Sequence, residues 1–174
     1  GKDINAHASF NMLAVQSRLG AYVTGPEVLG AESSAVLEGD FFGQRNDNIN
    51  LIRLRHAYLK LQWKHSHLLI GQYWNPVFNL GGVPSTVSFT TGTPVLPFSR
   101  NPQIRYVQKI GGLQFTAAVQ SQRDYPSFGP DPGNTDVSIP SSQFLKNSGM
   151  PEFHAKLQYE KKTGDFLFRT GVGG

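Results

Sequence analysis

The sequence contains no cysteine. That removes disulfide scaffolds, thiolate zinc sites and cysteine nucleophiles together. Charge is scarce: Asp, Glu, Lys and Arg make up 16% of the residues, against about 25% in an ordinary soluble domain. The longest unbroken aliphatic run is Leu68-Leu69-Ile70, far short of the ~20 residues that a membrane-spanning helix needs. A helical membrane protein is excluded. The first residues, Gly1-Lys2-Asp3-Ile4-Asn5, hold no apolar stretch of the signal-peptide kind, so an exported protein would have lost its signal or carry it upstream. The net charge of +4 and the pI near 9.4 permit nucleic-acid binding. The 16 Lys and Arg residues are scattered, however, and Lys161-Lys162 and Arg53-Leu54-Arg55 are the notable runs. Without a basic stripe interleaved with aromatics, a nucleic-acid partner is not expected.

What remains is 174 residues, enough for one domain, of which 39% are hydrophobic. That is too apolar for a disordered tail, and nineteen Gly with eleven Pro are too many for a helical bundle. The apolar residues recur with period two. From Phe153 to Glu160 the odd positions are apolar and the even positions polar, and Leu113 to Gln122 follows the same rule. Leu19, Ala21 and Val23 stand opposite Arg18, Gly20 and Tyr22. Such alternation sets one face of an extended chain against an apolar medium and the other against water.

Eight candidate strands follow, near residues 9–24, 34–43, 50–63, 67–74, 103–110, 113–123, 152–161 and 165–174, with all eleven prolines outside their interiors. Several reach the ~9–11 residues that a tilted strand needs to cross a bilayer, although 67–74 and 103–110 are short. Tight turns at Lys64–Ser66, Gly111-Gly112 and Lys161–Gly164 alternate with long links at Gly43–Asn50, Asn75–Pro102 and Asp124–Pro151. Long loops without structure of their own are unusual in a compact soluble domain, but short turns on one rim and long loops on the other are ordinary in an outer-membrane barrel. The expected fold class is therefore all-β, an antiparallel transmembrane β-barrel. If the short turns, with 24–33, are periplasmic, the first visible strand runs downward. At least one strand is then expected before residue 1, the chain stops mid-strand at Gly171–Gly174, and the eight strands form part of a larger barrel.

The blocks Ser9–Leu13, Gln16–Arg18, Leu37–Gly43, Leu51–Tyr58, Leu69–Pro76, Val87–Phe89, Thr91–Pro94 and Pro97–Gln103 carry a resemblance. They resemble a porin-like outer-membrane family of the Bacteroides group, and more distantly the chain is similar to trimeric porins of the DcaP type. The resemblance implies passive diffusion through a larger barrel in the bacterial outer membrane, no chemistry, and a homotrimer.

On the water-facing side of the strands the alternation puts Gln16, Arg18, Glu38, Asp40, His56, Tyr58, Lys60, Gln114, Gln120, Gln122, His154, Lys156, Gln158 and Arg169. Most of their charges are basic. Either this lining favours small anionic solutes, or its charges pair across strands and merely keep the interior wet. Loop 75–102 is rich in turn-forming Gly and Pro. It either folds inward, making Arg100 and Arg105 constriction residues, or covers the barrel from outside. Parity sets Arg53 and Arg55 on the lipid side with Ala57, Leu59, Leu61 and Trp63. Either they lie beyond the hydrocarbon, or a bulge near Arg55-His56 reverses the parity. Their place on the long-loop side favours the first. Tyr58, Trp63, Tyr73, Trp74, Tyr106 and Tyr159 fall toward strand ends, as interfacial girdles do.

No catalytic residue, metal site or cofactor is expected. G-x-S-x-G, H-E-x-x-H and phosphate- or dinucleotide-binding fingerprints do not occur. His65 and His67 flank a tight turn. Asn46-Asp47-Asn48 with Asn50 bring a single carboxylate, thin for calcium and typical of a loop tip. Partners are membrane lipid or detergent and small polar solutes. Two alternatives stand behind the porin: a soluble antiparallel barrel or sandwich with a ligand pocket, and a barrel enzyme acting on lipids.

Overall fold

A computed structural model describes residues 17–43, 51–78, 98–122, 127–141 and 149–174, with residues 3, 8, 10, 12, 14, 15 and 48 in addition. Among these residues there is no helix, and ten strands are present: β1 Arg18–Thr24, β2 Glu32–Asp40, β3 Arg53–Gln62, β4 Ser66–Trp74, β5 Arg100–Ile110, β6 Leu113–Gln120, β7 Ser127–Asp131, β8 Asn134–Ser141, β9 Glu152–Thr163 and β10 Phe166–Gly173. Eight of them form one sheet in the order β1-β2-β3-β4-β5-β6-β9-β10, with every neighbouring pair antiparallel. They correspond to the eight strands expected from the alternation, except that β1 begins at Arg18 and not near residue 9, the Ser17 N–H donating to the Ala14 carbonyl at 3.1 Å in a turn before it. The sheet is open between β1 and β10.

Two other details differ from the expectation. Strand β5 begins at Arg100 and takes in Pro102, whose carbonyl accepts from the Ser121 N–H at 2.9 Å. A proline therefore lies inside a strand, near its end, and the strand reaches 11 residues rather than eight. The link between β6 and β9 is also not structureless. It contains the separate hairpin β7–β8, in which Pro130 faces Ser138 and Phe128 faces Pro140. Two-stranded hairpins tolerate proline because each strand is an edge.

The short connections hold the sheet's register. Between β1 and β2, Val28 and Ala31 exchange both backbone hydrogen bonds at 2.9 Å around Leu29 (φ 53°) and Gly30 (φ 73°). Two successive residues at positive φ match the twist of a two-residue hairpin turn. The Trp63 indole N–H donates to the Leu29 carbonyl at 3.0 Å, tying this turn to the next.

The two faces of the sheet differ in chemistry and in burial. On β5, Ile104 is 55% and Tyr106 41% exposed, whereas Gln103, Arg105 and Val107 are 5%, 9% and 3% exposed. The exposed row is the apolar one. It continues across strands, with Ile70, Ile104, Val119 and Phe153 in successive register, and Phe115, Leu157 and Val172 in another such row. An apolar surface this continuous needs a covering of lipid or protein. Apolar rows packed into a dry centre are thus absent from the described sheet.

Candidate functional site: the polar face of the sheet

The polar face is most densely charged where β2 meets β3. Their register runs from Glu32–Gln62 to Glu38–His56 and then shifts, so that Gly39 faces Leu54 and Asp40 faces Arg53. Arg55 is the extra residue of this bulge. The parity is reversed here: Arg53, Arg55 and His56 all reach the polar face, while Leu54 is 48% exposed on the other. The bulge, not a position beyond the hydrocarbon, accounts for the two arginines. The physical reason is the pair of carboxylates opposite. Arg53 grips Asp40 with two bonds, Nε to Oδ1 at 3.1 Å and a terminal nitrogen to Oδ2 at 2.9 Å. Arg55 joins Glu38 at 2.6 Å to Asp40 at 2.8 Å, and the Tyr22 hydroxyl donates to Glu38 at 3.3 Å. Forked pairing of this kind fixes geometry as well as charge. Arg18 stands opposite Asp40 in the register with β1.

Beside this network lies an aromatic cluster. His56 contacts Tyr58, Tyr73 and Trp74, with ring centroids 6.3, 5.1 and 5.6 Å apart, and Tyr58 meets Tyr73 edge-on at 5.0 Å. Trp74 then packs on Phe78 and Phe98 at 5.0 and 4.8 Å. These last two residues are the described ends of the loop between β4 and β5, so both stems of that loop dock on the cluster. Tyr58, Tyr73 and Trp74 therefore belong to an internal cluster, not to a lipid-interface girdle. Tyr106 and Tyr159 lie apart from this cluster on the apolar face and are 41% and 38% exposed. Arg100 is fully buried with its guanidinium 4.8 Å from the Trp74 ring, and Arg105 lies 5.2 Å from the Tyr73 ring. Arg105 also donates from Nε to Gln103 at 2.8 Å and from its NH2 group to the Trp74 carbonyl.

On the far side, β6, β9 and β10 bring a sparser set of groups to the same face. Gln114 donates to Gln158 at 3.1 Å, and Gln120 donates to Glu152 at 2.6 Å, which His154 approaches at 3.3 Å. Arg169 pairs with Glu160. Lys60 faces Ser34 and Leu69, and Lys156 faces Thr116 and Gly173. Among the described residues Lys60, Arg105 and Lys156 make no ion pair with a carboxylate. Lys60 on β3, Arg105 on β5 and Lys156 on β9 thus stand without a carboxylate partner, whereas Glu152 on β9 is held by Gln120 and His154 and by no described lysine or arginine.

The sequence matches the model of the DcaP outer membrane protein family over residues 2–122, more than half of its length. The chain belongs to the DcaP outer membrane protein family. Its fold is similar to that of the outer membrane channel DcaP of Acinetobacter baumannii, with a TM-score of 0.58 and 24% sequence identity over 84% of this chain and 37% of that one. The chain thus spans little more than a third of the channel it resembles. No curated protein matches it.

As a DcaP-family chain it is a protein of the bacterial outer membrane, and its antiparallel sheet belongs to the transmembrane β-barrel class. Gln16, most of loop 75–102 (residues 79–97) and Asn46, Asp47 and Asn50 lie outside the described residues. Gln103 was missed in the sequence. It falls on the polar side of β5 by parity, but an uncharged residue gives no reason to be singled out until its contacts are seen.

Proposed function

We propose that the DcaP-family chain forms part of the wall of a porin through which small polar solutes diffuse passively, with anions favoured over cations. The observation that carries the preference is the imbalance on the polar face. Glu38 and Asp40 are held by Arg55 and Arg53. Among the described residues of this face, the cations without a carboxylate partner, Lys60, Arg105 and Lys156, outnumber the carboxylates without a lysine or arginine, Glu32 and Glu152. Gln16, Arg18, His56, Tyr58, Gln114, Gln120, His154 and Arg169 complete the proposed pore lining, and Arg100 and Arg105 flank the proposed constriction. Rings of one sign of charge select ions of the other. The proposal contains no catalytic step. Its assembly is a homotrimer, on the strength of the resemblance to trimeric porins, and the likeness to a Bacteroides-group family rests on the sequence blocks.

Reversal potentials of the full-length protein in a KCl gradient across planar bilayers test this. The wild-type pore is expected to prefer chloride, and Lys60→Glu with Lys156→Glu to move the preference toward potassium. A cation-preferring wild type would sink the selectivity, and absence of conductance would sink the porin.

A further inference from the structure

We infer that Gln103 is a positioning residue for solute recognition: it holds the Arg105 guanidinium as a preformed dock for one oxyanion group, a carboxylate or a phosphate, on the polar wall. This rests on the porin reading and names the place where a passing anion pauses.

The amide of Gln103 has one orientation available. Its Nε2 faces three backbone carbonyls, those of Tyr73, Trp74 and Asn101 at 2.9, 3.1 and 3.1 Å. Carbonyls accept, so the NH2 group must point that way. Oε1 is thereby turned to Arg105, whose Nε–H it accepts at 2.8 Å. The NH2 group of the same guanidinium is bonded to the Trp74 carbonyl, and the Tyr73 ring lies 5.2 Å from its central carbon. Gln103 and Arg105 are both more than nine-tenths buried.

The acceptors are what distinguish this arginine. Arg53 and Arg55 spend donors on carboxylates, which cancels their charge. Arg105 is bonded to a neutral amide and a neutral carbonyl, so it is fixed in place with its charge intact. An arginine has five N–H donors in a rigid fork. Two are used here, and the remaining three meet no acceptor among the described residues. Nε–H and one NH2 hydrogen form a side edge of the fork, so the opposite edge is left for a ligand. That edge matches the two oxygens of a carboxylate or phosphate. Across the sheet, Ala118 separates Arg105 from His154, and Lys156 stands two residues further along β9. Lys156 adds donors and positive charge near the same point.

Gln103 lies between the rigid strand carbonyls and the guanidinium, so removing its amide frees the fork without removing the charge. Full-length protein in planar bilayers, with inorganic phosphate and acetate as probes, separates the two effects. In the wild type at least one probe is expected to reduce the chloride current saturably. Block by phosphate alone identifies a phosphate dock, and block by acetate a carboxylate dock. In Gln103→Met the blocking concentration should rise roughly tenfold, as loss of one aligned charge-assisted hydrogen bond implies, with a smaller change of reversal potential than in Arg105→Gln. Arg105→Lys should likewise weaken block more than it moves the reversal potential, since an ammonium lacks the fork. Should the methionine variant fail to assemble, Gln103→Asn carries the same comparison, its amide being too short to bridge both partners. Unchanged block in the Gln103 variant that assembles, or no block of the wild type by either probe, overturns the proposal. A cation-preferring pore that still shows Gln103-dependent block would overturn the anion preference and leave this assignment standing.

Discussion

Replacing Asp40 by Asn should weaken the fold and, in the proposed porin, shift ion selectivity toward anions at the same time. Asp40 accepts from Arg53 at 3.1 and 2.9 Å, from Arg55 at 2.8 Å and from the Phe42 N–H at 3.2 Å, and its side chain is 4% exposed. The asparagine keeps the shape but removes the charge and turns an N–H toward a guanidinium. Breaking a buried pair from one side costs about 3–5 kcal/mol, which should lower the melting temperature of the full-length protein in detergent. The functional effect follows from the one added unit of positive charge. In water such a charge acts on an ion ~10 Å away with about 0.4 kcal/mol, roughly twofold in local concentration. Anions gain that factor and cations lose it, so the permeability ratio should rise by roughly fourfold at low salt. At 1 M salt the screening length is ~3 Å and the gain should vanish. Reversal potentials in KCl gradients at both ionic strengths read this directly. No change at low salt, or a shift toward cations, would refute the view that Asp40 neutralises Arg53 and Arg55 at the pore wall.

The assignment of the two faces is tested by neighbours on β6. Phe115→Arg places a charge in lipid and should cost roughly 2–4 kcal/mol of folding free energy in bilayers, whereas Gln114→Arg should cost far less; equal costs would contradict the face assignment. Gly71 on β4 adopts φ 130°, and a Cβ there would stand 2.2 Å from the Ala57 carbonyl oxygen and 2.7 Å from the Tyr58 Cα. Gly71→Ala should therefore destabilise the fold by at least about 2 kcal/mol, read as a lowered melting temperature in detergent, and a wild-type melt would show that the strand can relax.

Much of this architecture is legible in the sequence, because a strand's side chains alternate strictly and a barrel wall has different media on its two sides. Leu113, Phe115 and Val119 identify their face without any partner strand, and so do Phe153, Leu157 and Tyr159. The alternation of tight turns with long links is likewise a property of the chain alone, and it gave the meander and the two rims. Parity, however, is a local rule that one extra residue reverses. At Arg53-Leu54-Arg55-His56 the pattern could be continued in two ways. The carboxylates of Glu38 and Asp40, more than a dozen residues earlier, decided between them by drawing both arginines to the polar side. The same holds for Tyr58, Tyr73 and Trp74, whose positions near strand ends suggested a lipid interface until the rings were seen packed on one another and on Phe98. Gln103 shows the limit most plainly: its role depends on three carbonyls and one guanidinium, contacts of which a single line of letters holds no trace. The sequence by itself determined which residues extend and which face each presents, since both follow from the spacing of apolar side chains. Only the tertiary structure decided where the register slips, which charges cancel and which remain, because those outcomes depend on what the neighbouring strand places opposite.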